Sequence, residues 1–190
     1  MEQREVPGDA VMTRIGQAIM LLHAGDREEA RNRFGILWSE IGERGAALHR
    51  CTLAHYMADT QDDPGDELAW DLRALTAAEG LTGAVATDPG PSAAPDADTD
   101  TGTDPDADTG TDPGPGGERR EVTAVRALVP SLHLNLAADY LKLQRFESAR
   151  VHLDRAWDAV GVLEDDGYGG GIRAAIGRLE QRMRGNAAGE

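Results

Sequence analysis

The sequence predicts an all-α fold in which antiparallel helical hairpins stack side by side. Aromatic residues are only 4% of the chain while 40% is hydrophobic, so Leu, Ile, Val and Ala must build the core, a mix that suits packed helices better than twisted sheets. Residues 134–150 read as one helix, a tight turn and the start of a second. Residues 28–42 recur as residues 147–161, pairing Glu28 with Glu147, Ala30 with Ala149, Arg31 with Arg150, Phe34 with Leu153, Trp38 with Trp157, Ile41 with Val160 and Gly42 with Gly161. Their apolar members follow helical spacing, with a small alanine where a neighbouring helix must come close.

The first helix is expected over residues 11–23. Gly25 then supplies a positive φ at its end, and Asp26 caps the free amides of the second helix, residues 28–42. A middle pair follows at 46–60 and 66–81, joined by a longer turn at 61–65, with Leu68, Leu72 and Leu75 as the stripe of its second helix. The last pair spans about 123–143 and 147–161, across Gln144 and Arg145. Pro130 is expected to kink or divide its first helix, the repeat helix then beginning at Ser131. Trp38 and Trp157 are expected in the core between hairpins; Trp70, without a counterpart, is either a groove anchor or a packing contact. The glycine-rich run 167–171 reads as a hinge, followed by a terminal helix with Ile172, Ile176, Leu179 and Met183 at helical spacing.

Composition breaks between Val85 and Gly117. Six of the nine prolines and eight aspartates fall there, with no Lys or Arg, so the span cannot bury enough apolar area to offset its ordering entropy. Removing eight aspartates from the formal charge of −15 leaves −7 for the rest of the chain. The expected organisation is a flexible N-terminus (1–10), two hairpins (11–83), a disordered acidic insert (84–120), and a third hairpin with a capping helix (121–190) packed as one domain with 11–83. Asp96, Asp98 and Asp100 have the spacing of a calcium loop, but Thr101 stands at the sharp-turn position and Ala107 at the closing ligand position, so a solvated linker is the expectation.

The last pair places Leu136, Ala137, Tyr140, Ala149, Leu153 and Ala156 at the signature positions of a tetratricopeptide repeat, with His133 replacing the tryptophan. The first pair keeps Ala18, Leu21, Gly25, Ala30 and Phe34, and the middle pair keeps Ala54 and Met57. On these residues the chain resembles the tetratricopeptide-repeat family. The resemblance implies a short α-α superhelix closed by a C-terminal capping helix, and peptide binding by first helices lining a concave face. It implies exposed positions at Cys51, His55 and Asp59 in the middle pair, at Ser131, Asn135, Ala138 and Lys142 in the last, and at Ile15, Ile19 and His23 in the first. Asn135 is the leading candidate, since an amide offers a peptide backbone both a donor and an acceptor.

Function then reads as a noncatalytic adaptor or scaffold binding a protein or peptide, with no cofactor or metal. The acidic balance argues against nucleic acid and anionic membranes, which require a basic surface. Cys51 has no partner for an internal disulfide, and a start without a basic, apolar leader makes a cytoplasmic location the expectation. Cys51, His55 and Asp59 recur every four residues, so a small metal- or thiol-dependent enzyme is one alternative, but parallel helical neighbours do not converge on a metal or an oxyanion. Self-association as a homodimer through the same face is the other.

Overall fold

The computed structural model describes residues 7–43, 45–87 and 114–187. These form seven α-helices and a single 3₁₀ turn, with no strand among the described residues. The helices are α1 (Pro7–His23), α2 (Arg27–Ile41), α3 (Ala47–Ala58), α4 (Pro64–Thr87), α5 (Gly114–Lys142), α6 (Phe146–Ala159) and α7 (Gly167–Ala187), with the 3₁₀ turn at Val160–Val162 after α6. Helices α1 and α2, α3 and α4, and α5 and α6 pair as hairpins, and α7 packs on α5 and α6.

The two outer hairpins turn in the same way. Asp26 N–H donates to Leu21 O, Gly25 N–H to Leu22 O and Ala30 N–H to Asp26 O; Arg145 N–H donates to Tyr140 O, Gln144 N–H to Leu141 O and Ala149 N–H to Arg145 O. The register matches the pairing of Glu28 with Glu147. Gly25 sits at φ 91° and its counterpart Gln144 at φ 58°. A left-handed backbone costs nothing special at glycine but is strained for a residue with a β-carbon. Gln144→Gly is therefore expected to gain about 0.5–1 kcal/mol in urea unfolding, after allowing for the freer unfolded chain, and Gly25→Gln to lose about as much.

The middle turn is longer because it is tied to another hairpin. Arg27 and Arg31 of α2 donate to the carbonyl oxygens of Gln61 and Thr60, and both pair with Asp62. Asp63 then caps α4, its Oδ1 accepting from Gly65 N–H at 2.8 Å and Asp66 N–H at 3.1 Å.

The core is divided into three successive clusters. Ile15, Ala18, Phe34, Leu53 and Met57 fill the space among α1, α2 and α3. Cys51, Ala54, Leu75, Ala78, Val125 and Leu136 fill that among α3, α4 and α5. Ala137, Leu153, Ala156, Ile176 and Leu179 fill that among α5, α6 and α7. Each helix pair therefore buries its stripe against the next pair, as stacked repeats must, and α7 closes the last stripe.

Several expectations are corrected. Pro130 does not divide α5, which runs through it, its ring fully buried. Helix also reaches both edges of the expected insert: α4 extends to Thr87, with no proline between Pro64 and Pro89 to stop it, and α5 begins at Gly114. Residues 88–113, including the aspartate run read for calcium, lie outside the described residues. The glycine-rich run is the first turn of α7 rather than a hinge. Asp166 captures it, accepting Gly169 N–H on Oδ1 at 2.7 Å, and a β-carbon at position 169 would collide with the carbonyl oxygen of Glu164.

The two repeat-paired tryptophans do not share an environment. Trp38 packs between the first two clusters, edge-on to Trp70 at 5.1 Å, whereas Trp157 is 42% exposed. The helix pair following α2 brings Trp70 of α4 to cover Trp38; α7 reaches α6 through Ile176 and Leu179, which meet Leu153 and Ala156 instead. Trp70 is thus a packing residue, and Arg73 places its guanidinium 4.6 Å over the indole.

Candidate peptide-binding groove

Helices α5 and α7 leave an open groove of about 610 Å³ between them. Leu134, Asn135 and Ala138 form its α5 wall, and Arg178, Gln181 and Arg182 stand on its α7 wall. The spacing of 134, 135 and 138 puts all three along one edge of α5. Arg178 and Arg182 are four residues apart, so they rise from successive turns on one side of α7 and both are exposed. Among the described residues neither belongs to an ion pair.

Of the ten positions expected to line a binding face, Asn135 and Ala138 reach the groove and the other eight do not line it. Asn135 Nδ2 lies 3.4 Å from His55 Nδ1, which lies 3.4 Å from Asp71 Oδ1. Since a carboxylate only accepts, a proton on Nδ1 is given to Asp71. Asp59 is exposed at the end of α3. Lys142 joins α4 to α5, its Nζ donating to both Glu67 oxygens at 2.6 Å and to Asp139 Oδ1 at 3.3 Å.

Cys51, Ser131 and Ile15 are buried, contrary to the expectation that they face a concave surface. Helix α3 is enclosed on two faces, Leu53 and Met57 in the first cluster and Cys51 and Ala54 in the second, so Cys51 has no open side. Four consecutive residues of α5, Pro130 to His133, are buried because α3, α4, α6 and α7 surround this helix. There Ser131 Oγ donates to Leu128 O at 2.7 Å. Ile15 packs in the first cluster; Ile19 is half-buried and His23 exposed.

The Cys51 thiol is pushed up to about 12, first by burial and then by the nearby charge of Asp71. A group held so firmly protonated is a poor nucleophile at neutral pH. Among the described residues no set of three or more His, Cys, Asp or Glu side chains is arranged to hold a metal ion. His133, at the signature tryptophan position, meets His152 of α6 with Nδ1 atoms 3.0 Å apart, and Tyr140 stacks on His152. Burial, followed by the charges of His152 and Arg155, pushes His133 down to about 4, so the pair is a neutral internal contact at pH 7.

Sequence reasoning missed two sets of residues. Arg178 and Arg182 flank the apolar stripe of the terminal helix without any pattern of their own, and only the packing of α7 beside α5 makes them a wall. Asp71 and Asp139 are 0% and 1% exposed, with one oxygen each, Oδ2, lacking a hydrogen-bond partner. The signal for Asp71 was present: it lies three residues after Leu68 and four before Leu75, on the apolar stripe itself.

A family model for the tetratricopeptide repeat matches residues 11–34 and 130–155. These cover α1 with the first half of α2, and the second half of α5 with most of α6. No curated protein and no solved structure matches the chain. Tetratricopeptide repeats serve protein–protein interaction, which supports an adaptor role and protein partners. No helix among the described residues is long and apolar enough to cross a membrane.

Proposed function

We propose, from the premise that both outer hairpins are tetratricopeptide repeats, that this chain is a noncatalytic adaptor gripping an extended peptide in the α5–α7 groove. The observation that carries this reading is the pair of exposed, uncommitted guanidinium groups, Arg178 and Arg182, opposite the amide of Asn135. Guanidinium groups bind carboxylates through paired, charge-assisted hydrogen bonds. The amide can meet a peptide N–H and C=O together. An acidic segment therefore fits this groove best, its carboxylates on α7 and its backbone along α5. Leu134, Ala138 and Leu179 supply apolar floor beneath it.

The test is fluorescence titration with an extended peptide rich in Asp and Glu, against the same peptide carrying Asn and Gln. The acidic peptide is expected to bind the native chain more tightly than the neutral one, and Arg178→Ala with Arg182→Ala together are expected to weaken it at least about tenfold, or roughly 1.4 kcal/mol. Binding of both peptides equally by the native chain and the double variant would refute the groove as the site. Lys142→Ala serves as the contrast: its ammonium is held by Glu67 and Asp139, and its removal should leave peptide affinity within about twofold.

A further inference from the structure

We propose that Asp71 and Asp139 share one proton across the α4–α5 contact, and that losing it loosens the joint between the middle and last hairpins. The two carboxyl groups lie on adjacent helices, both fully enclosed, within hydrogen-bond reach of each other. Their Oδ1 atoms are occupied: that of Asp71 faces His55 Nδ1 and that of Asp139 faces Lys142 Nζ. Their Oδ2 atoms are the ones without a partner. A buried carboxylate oxygen with nothing to accept from is expensive, and two charged carboxylates side by side in dry surroundings are more so. One proton held between the Oδ2 atoms removes both costs.

The surrounding groups do not supply another remedy. From α3 come Cys51, protonated and neutral, His55, already on Asp71, and the carboxylate of Asp59. From α4 comes Glu67, and from α5 Lys142, whose shortest contacts go to Glu67 rather than Asp139. Negative charge is therefore in excess around the pair. Burial first, then the charges of Asp71 and Glu67, hold the Asp139 carboxyl up to about 8, opposed by Lys142.

The direction of the pH effect follows. The folded chain keeps this proton where an unfolded aspartic acid has lost it, so its contribution to stability declines as pH rises from the ordinary carboxylate range towards 8 and levels off above it. Asp139→Asn replaces the shared proton by an amide N–H that does not titrate. Thermal unfolding of the native chain and this variant is to be compared between about pH 6 and pH 10, with amide exchange in α4 and α5 corrected for its intrinsic pH dependence. The variant's melting temperature is expected to rise relative to the native chain up to about pH 8 and then keep a constant lead, while α4 and α5 lose protection over the same interval in the native chain only. Parallel melting curves across this range would overturn the proposal. A carbon-13 titration of the native aspartate carboxyls stands independently of whether the variant folds. One carboxyl titrating close to pH 8 supports the shared proton, and all of them titrating below about pH 5 defeats it. None of these readouts involves a peptide, so they stand or fall separately from the groove.

Discussion

Phe34→Ala is expected to lower the unfolding free energy by about 3–5 kcal/mol, measured by reversible urea or thermal unfolding. The ring is 0% exposed and fills the space enclosed by Ile15, Ala18, Leu53 and Met57, with Tyr56 stacked on it at 6.4 Å. Truncation loses both the transfer energy of the ring and the contacts of its neighbours, which cannot collapse because they are held on two separate helices, α1 and α3. Against a total stability of about 5–15 kcal/mol, such a loss leaves a substantial unfolded population. Phe146→Ala is the internal comparison. Its ring is 42% exposed at the start of α6, and its removal should cost about 1 kcal/mol or less. An equal cost at both sites would mean that the first cluster is not packed as described.

The second large effect separates the two repeat-paired tryptophans. Trp38→Ala is expected to cost about 3–4 kcal/mol and Trp157→Ala about 1 kcal/mol or less, by the same unfolding measurement. Trp38 meets Trp70 at an interplanar angle of 87°, the edge-to-face arrangement that aromatic quadrupoles favour, and it touches both the first and second clusters. Its loss uncouples the first hairpin from the second. Trp157 has solvent on one side, so truncating it opens no enclosed void. Similar losses for the two variants would restore the equivalence that the repeat alignment implies.

That contrast marks where sequence reasoning stopped. Helical spacing, the capping Asp26 and the small Ala30 and Ala149 are local features, and the hairpins they specify stand where they were expected. The register of the duplication is visible even in matching turn hydrogen bonds, although one copy uses glycine and the other glutamine. Burial of an outer edge depends instead on which helix comes next in the stack. Trp38 precedes a helix pair carrying Trp70; Trp157 precedes a helix that offers Ile176 and Leu179 to a different edge of α6. The same reason hid the burial of Cys51, since α3 is covered from two sides while a single apolar stripe predicts cover from one. Of the groove, Asn135 and Ala138 were legible because the repeat signature assigns their helix face. Arg178 and Arg182 were not, because nothing in their own segment says which helix they stand beside.

The position of α5 in the chain bears on how the protein is made. This helix covers the Cys51, Ala54, Leu75 and Ala78 surface of the middle hairpin, yet it leaves the ribosome only after residues 88–113 have been synthesised. During that interval the nascent chain presents a ready-formed greasy flank with nothing to lay against it, the condition under which partly built proteins stick to one another or to chaperones. Residues 88–113 carry all of their charge as aspartate, so the unfinished polypeptide bears like charges that repel neighbouring copies while it waits.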